Sequence, residues 1–309
     1  MKEDQQDWQE IDGTILINLP DDFNSKANLG YLVRNKNECM FEVENEMITR
    51  VIVVGETRTL VQIHVNNSNQ MVVRFLNVSR PLNRSQRAGV VQYIREWFDL
   101  DRDLTPFYAM AKADPLLKWP VQQFYGLRVI GVPDLFEALC WGVLGQQINL
   151  AFAYSLKRQF VEKFGDSIKW NGRIYWIFPT CEQIALVTPA DLADIKMTLK
   201  KSEYIIGIAQ FMASGKLSKE KLMRMENLKE VEKSLITIRG IGPWTANYVI
   251  MRCLRNPSAY PIDDVGLHNA IRHLTKAMNK PAKEELLKLS IRWEGWQSYA
   301  TFYLWHVLY

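Results

Sequence analysis

Up to about residue 105 the apolar positions of the chain fall in short β-branched runs, Thr14–Leu19, Met40–Val43, Ile48–Val54, Thr59–Val65 and Met71–Leu76, divided by polar turns such as Asn66-Asn67-Ser68-Asn69. Such runs between turn residues predict strands, and together they predict an antiparallel sheet. The period then changes. In Gln86–Phe98 the residues Val90, Val91, Ile94, Trp97 and Phe98 recur at helical steps, giving a helix able to cover one sheet face. After Pro106 the helical period dominates, predicting helices over Leu135–Leu144, Leu150–Phe164, Lys201–Ser214, Leu228–Arg239, Trp244–Leu254 and Val265–Met278, and a last one from about Trp296. The fold class expected is therefore α+β: an N-terminal antiparallel β-sheet with covering helices over residues 1–105, followed by a mainly α-helical unit over 106–309. Trp170–Thr180, punctuated by Gly172 and Pro179, reads as the link where the chain crosses between two helical subdomains.

Composition narrows this picture only a little. A chain of 309 residues can bury substantial cores, and a formal net charge of +4 is compatible with phosphate binding without identifying it. The uncharged stretch Ala138–Leu156 approaches membrane-spanning length, but Gly145, Gln146, Gln147 and Asn149 interrupt it, so two buried helices joined by a loop account for it. The opening Met1-Lys2-Glu3-Asp4 lacks the apolar segment of a secretory signal, and the expectation is a cytoplasmic protein with no membrane contact. Cys39, Cys140, Cys181 and Cys253 are far apart, and His64, His268, His273 and His306 form no ligand motif, so neither metal nor cofactor is expected. Nothing in the pattern calls for more than a monomer.

The chemistry gathers between Leu235 and Asp264. Leu235 and Ile238 end one helical pattern, Gly240-Ile241-Gly242 forms a tight turn, and the pattern resumes through Trp244, Tyr248 and Met251. Gly240 and Gly242 can take positive φ and admit a close backbone, while Pro243 suits the first turn of a helix, where its missing N–H is not needed. The amides that open the second helix, at the positive end of its dipole, suit an anion. A duplex phosphate is the anion favoured, gripped without base reading, and Arg239 can add a charge contact. Farther on stand Asp263 and Asp264; beside a helix start either one can serve as an N-cap, the role expected of Asp263.

These residues, together with VLGQQINLA at Val143–Ala151, GIGPWTANY at Gly240–Tyr248, PIDDVG at Pro261–Gly266 and WEGWQSYATFYLW at Trp293–Trp305, resemble the helix-hairpin-helix base-excision DNA glycosylases, and within them the 3-methyladenine DNA glycosylase II (AlkA-type) branch. The likeness covers residues 133–309; the earlier part matches in general character, an N-terminal α+β domain being usual beside the helical core. The resemblance implies a partner, double-stranded DNA containing alkylated bases, and it implies roles. Asp264, about twenty residues beyond Trp244, takes the place of the catalytic carboxylate, which either stabilises an oxocarbenium-like sugar or orients the attacking water. Strand-cutting relatives form a Schiff base with a lysine just after the hairpin proline; here that residue is Trp244, which implies base release without lyase activity.

Trp244, Tyr248 and Trp305 match the aromatic positions of a base pocket, whose π faces would favour a flipped, positively charged methylpurine. Trp141, Trp293 and Trp296 are assigned to the core. Arg239, Gly240, Ile241, Gly242 and Thr245 match the DNA-facing hairpin. Leu144–Ile148 resembles the loop whose tip fills the gap left by a flipped nucleotide, with Gln147 the wedge by register and Gln146 beside it. His268 lies on a polar helix face within reach of DNA. The active site is expected in the cleft between the helical subdomains. Three functions from different classes follow: an alkylpurine glycosylase, a glycosylase for oxidised or deaminated bases, and a non-catalytic helix-hairpin-helix DNA-binding module.

Overall fold

The computed structural model describes residues 8–77 and 82–308; Met1–Asp4, the basis of the signal-sequence reading, lie outside them. The class is α+β, as the periodicities predict. Strands β1 (Trp8–Ile11), β2 (Thr14–Asn18), β3 (Glu42–Glu44), β4 (Met47–Val54), β5 (Thr57–Val65) and β6 (Gln70–Phe75) form one antiparallel sheet in the order β1-β2-β6-β5-β4-β3. The five expected runs all reach this sheet; β1 is additional, joined to β2 through Asp12-Gly13, whose φ values of 49° and 74° suit a two-residue hairpin turn.

Between β2 and β3 lies helix α1 (Ser25–Leu32), which the pattern did not reveal because its apolar residues form no stripe. Asn24 caps it by accepting from the Ala27 amide at 3.0 Å. Buried Asn28 then ties α1 to a distant loop, donating to the Gly126 carbonyl (3.0 Å) and accepting from the Arg128 amide (2.9 Å). That anchorage brings the end of α1 against the helical part of the molecule. Helix α2 (Arg84–Phe98) starts with a reciprocal Asn83/Gln86 capping box and buries the predicted stripe. Gly89 lets it lie close on β4, since a Cβ there would stand 2.3 Å from Val54 Cγ1.

The helical part continues with α3 (Thr105–Ala113), α4 (Lys118–Gln123), α5 (Leu135–Leu144) and α6 (Leu150–Phe164). Residues 166–177 correct the reading of Trp170–Thr180 as a plain link. They fold as a hairpin, β7 (Asp166–Trp170) and β8 (Arg173–Ile177), around Asn171-Gly172 with φ of 47° and 76°. Its Tyr175 packs with Val51 and Leu60. The hairpin thus covers the second face of the sheet, which explains why β4 reads as a nearly continuous apolar run.

After α7 (Cys181–Ile184) and a short 3-10 turn come α8 (Leu199–Ala213), α9 (Lys219–Met223), α10 (Leu228–Ile236), α11 (Pro243–Arg252), α12 (Val265–Thr275), α13 (Lys283–Arg292) and α14 (Gln297–His306). Helix α10 stops short of Arg239 because Thr237–Gly242 make the turn, and α12 stops at Thr275, where Lys276 adopts a left-handed φ of 54°. Most buried residues of the sheet, α2 and the helices form one continuous apolar cluster, apart from smaller ones such as that under the β7–β8 hairpin. Ala138–Leu156 resolves into α5 and α6 with a loop between; among the described residues no helix is long and apolar enough to cross a membrane.

Candidate active site

The α10–α11 turn divides the work of its glycines. Gly240 takes φ +95°, and a Cβ on it would sit 2.3 Å from the Tyr204 ring, so both conformation and space demand glycine. Gly242 does not take the positive φ its residue type permits: at φ −94° it is the N-cap of α11, with nothing within 4 Å of a Cβ. Among the described residues no acceptor meets the amides of Gly242, Trp244 and Thr245. Orphan donors at a helix start, beside open space, are suited to an anion. The other hairpin residues behave differently. Ile241 is buried, with its amide donating to Ile238 O at 3.0 Å. Thr245 is also buried, its hydroxyl accepting from Gln146, and exposed Arg239 pairs with Glu203 at 3.1 Å.

Asp264, not Asp263, caps the next helix; Asp263 is exposed. Asp264 is only 8 % exposed, and three donors converge on its carboxylate. Trp244 Nε1 donates to Oδ2 at 2.9 Å, while Trp305 Nε1 and the Leu267 amide both donate to Oδ1 at 2.7 Å. All three are neutral, so the carboxylate is fixed in place, and no ion pair to it is found among the described residues. Gly266 permits this closure: a Cβ there would lie 3.0 Å from Asp264 Oδ1 and 3.1 Å from the Trp305 ring. Tyr248 completes the aromatic wall, stacked on Trp244 with centroids 5.7 Å apart and 6.4 Å from Trp305.

These groups line a cavity of about 850 Å³, open to solvent, that also receives residues the sequence reading missed. Behind Tyr248 lies buried Arg252, which donates to Ile130 O (2.5 Å), the Tyr31 hydroxyl (2.9 Å) and the Tyr248 hydroxyl (3.4 Å). Burial pushes the Tyr248 phenol up to about 12 against the pull of Arg252 and Arg34, so it stays protonated at neutral pH. Tyr31 and Arg34 come from the end of α1, and Trp141, assigned to the core, lines the cavity as well. The Trp141 position follows from α5 periodicity; Arg34, just past an unstriped helix, had no signal.

The α5–α6 loop separates its two glutamines. Gln146 is fastened to the hairpin, donating to Gly240 O (2.9 Å) and Thr245 Oγ1 (3.3 Å). Gln147 is exposed at the tip with a left-handed φ of 57°. His268 is half-buried, its Nε2 2.7 Å from Ile262 O, and so braces the segment that leads into Asp264. The structure therefore gathers Asp264, Trp244, Tyr248, Trp305, Gln146 and Gln147 around one cavity, with the Gly242 turn beside it.

A cavity of this shape next to a helix-hairpin-helix turn defines a class, and comparison with known proteins agrees with it. Residues 140–295 match the HhH-GPD superfamily base excision DNA repair protein family, and residues 22–139 match the 8-oxoguanine DNA glycosylase N-terminal domain. The chain belongs to the HhH-GPD superfamily of base excision DNA repair proteins and is a DNA glycosylase. It is 68 % identical to a DNA-3-methyladenine glycosylase of Bacillus subtilis (strain 168) over 98 % of its own length and 99 % of the relative's. Its fold is similar to that of a 3-methyladenine DNA glycosylase from Archaeoglobus fulgidus, with a TM-score of 0.82 at 24 % identity over 94 % of this chain and 96 % of that one. A Schizosaccharomyces pombe 3-methyladenine DNA glycosylase in complex with abasic DNA superimposes with a TM-score of 0.56 at 25 % identity, over 65 % of this chain and 95 % of that one.

Proposed function

We propose that the protein is a monofunctional glycosylase: it flips alkylated purines of the 3-methyladenine and 7-methylguanine type out of duplex DNA and hydrolyses the N-glycosidic bond, leaving an abasic site. The observation that supports this most is the Asp264 carboxylate, held by the Trp244 and Trp305 indoles at the edge of an aromatic cavity. As the bond breaks, its electron pair leaves with the base and positive charge grows on the sugar. A fixed carboxylate there stabilises that charge without reorganising, and water then adds at C1′. The indoles and Tyr248 receive the flipped base, the exposed tip of Gln147 fills its place in the stack, and the free amides after Gly242 hold a backbone phosphate. No lysine follows Pro243, which supports hydrolysis without a Schiff-base step.

The match of residues 22–139 to an 8-oxoguanine glycosylase domain favours a second reading, an enzyme for oxidised bases. One experiment separates the two: incubate the protein with duplexes containing methylated purines, 8-oxoguanine or uracil, and identify the free bases and any strand breaks. Release of methylpurines with intact strands is expected. Release of 8-oxoguanine or uracil alone, or strand cleavage by the protein itself, refutes the proposal.

A further inference from the structure

We propose that Arg34, which reaches the cavity from the sheet-bearing half of the chain, is a specificity-determining residue whose guanidinium favours departure of neutral bases and disfavours binding of cationic ones. The inference rests on the function proposed above. Arg34 follows α1, the helix tied down by Asn28, and it lines the cavity with Tyr31 and Arg252. It donates to Tyr31 O (2.7 Å) and to the Tyr154 hydroxyl (2.6 Å), and its guanidinium carbon stands 3.6 Å from the Tyr31 ring centroid. Its charge acts on Tyr248, the ring at the middle of the pocket wall, and on Glu38. Glu38 has partners of its own in Lys157 (3.3 Å) and the amides of Cys39 and Met40 (both 2.9 Å).

Arg252 adds to the effect, with its guanidinium carbon 5.5 Å from the centroids of both Tyr31 and Tyr248. A ring already facing one cation attracts a second less. The two indoles differ, because their N–H groups point at a carboxylate. The cavity therefore has a carboxylate side, where the sugar charge would develop, and a guanidinium side beyond Tyr248. When C1′–N breaks, a cationic methylpurine takes the electron pair and leaves neutral, whereas a neutral purine leaves as an anion and is then protonated by the proton that the adding water gives up. A fixed cation beside the base stabilises that anion as it forms, and repels a base that arrives charged.

The test is single-turnover release from duplexes holding 7-methylguanine, which is cationic, or hypoxanthine, which is neutral, with Arg34→Met, Arg34→Gln and Arg34→Lys compared to the parent protein. Two neutral replacements guard against one that fails to fold. Removing the charge is expected to slow hypoxanthine release at saturating protein on the order of tenfold, the scale of one unit charge at intermediate dielectric, and to lower the half-saturating concentration for the 7-methylguanine duplex. Arg34→Lys should restore hypoxanthine release to within about threefold of the parent, since it keeps the charge but not the guanidinium geometry. Equal slowing of both bases, or a lysine variant no better than methionine, would mean that Arg34 only props the wall and would overturn the proposal. So would a parent protein that releases 7-methylguanine but no hypoxanthine. A parent that releases neither refutes the proposed function itself.

Discussion

The two sides of the cavity hold opposite charges by the same device. On one side a carboxylate, Asp264, is fixed by two indoles and an amide; on the other a guanidinium, Arg252, is fixed by a carbonyl and two phenols. Some buried charges elsewhere are paired directly, as Lys157 with Glu137 at 2.8 Å, or Arg128 with Asp22, while buried Lys201 donates to the Leu144 carbonyl at 2.8 Å. The contrast is instructive. An ion pair cancels most of its outward field, whereas a charge solvated by neutral dipoles is held rigidly and still acts on whatever enters beside it. Under the function proposed for the cavity, the neutral partners of Asp264 and Arg252 leave the field of each charge acting on whatever binds there.

The harshest way to break the comparison is to neutralise the carboxylate side. Asp264→Asn retains the cap of α12, since asparagine caps as well as aspartate, but its amide must turn N–H groups toward one of the converging donors. Base release is expected to fall at least about a hundredfold, the scale of losing a preorganised electrostatic partner, while abasic-site DNA still binds within a few-fold. Release rates and titrations on labelled duplex check both, and retained turnover would remove Asp264 from the reaction.

Gly266→Ala sharpens the same side without touching charge. The added methyl meets Asp264 and the Trp305 ring at 3.0–3.1 Å, so the indole must shift, and a drop of about tenfold in release is expected with little change in DNA affinity. Gly242→Ala should do the reverse. Its backbone tolerates a side chain and no described residue crowds it, so stability should stay within about 0.5 kcal/mol. Binding to every duplex, damaged or not, should weaken about threefold because only a backbone phosphate is obstructed. An unchanged affinity would remove the turn from the interface.

The smallest effect concerns acid. His306, 6.3 Å from Tyr31 on the guanidinium side, has its imidazole lowered to about 4, by burial first and by Arg34 second. Below pH 6.5 the unfolded chain takes up a proton that the folded protein refuses, so this group should cost stability progressively as pH falls from about 6.5 to 4, and nothing above that window. His306→Asn should flatten that part of a plot of melting temperature against pH; an unaltered slope would place the acid sensitivity elsewhere.

The carboxylate side was largely legible in the sequence, and the guanidinium side was not. Trp244, Tyr248 and Asp264 lie within one short stretch whose spacing follows from a turn, a helix and a cap, and their register comes from a recognisable motif. Tyr31 meets Arg252 across more than two hundred residues of chain, and the helix that presents Tyr31 and leads to Arg34 lacks the apolar stripe that periodicity detects. The hairpin at β7–β8 was within reach: Asn171-Gly172 between alternating residues is a strong turn signal, and its neighbour Pro179 masked it as a linker. Choosing Asp263 as the cap was a one-residue matter that adjacency could not decide. The conformation of Gly242 was equally hidden, because residue type states what a backbone can do and not what its neighbours require.

Gln146 has a mechanical consequence. One amide side chain spans from the α5–α6 loop to the Gly240 carbonyl and the Thr245 hydroxyl, so the loop tip and the backbone turn are yoked at close range. With the roles proposed for those two parts, probing between base pairs and clasping the strand become a single motion. A protein sliding along intact duplex would then relax both together, and a site where the stack yields would tighten both at once.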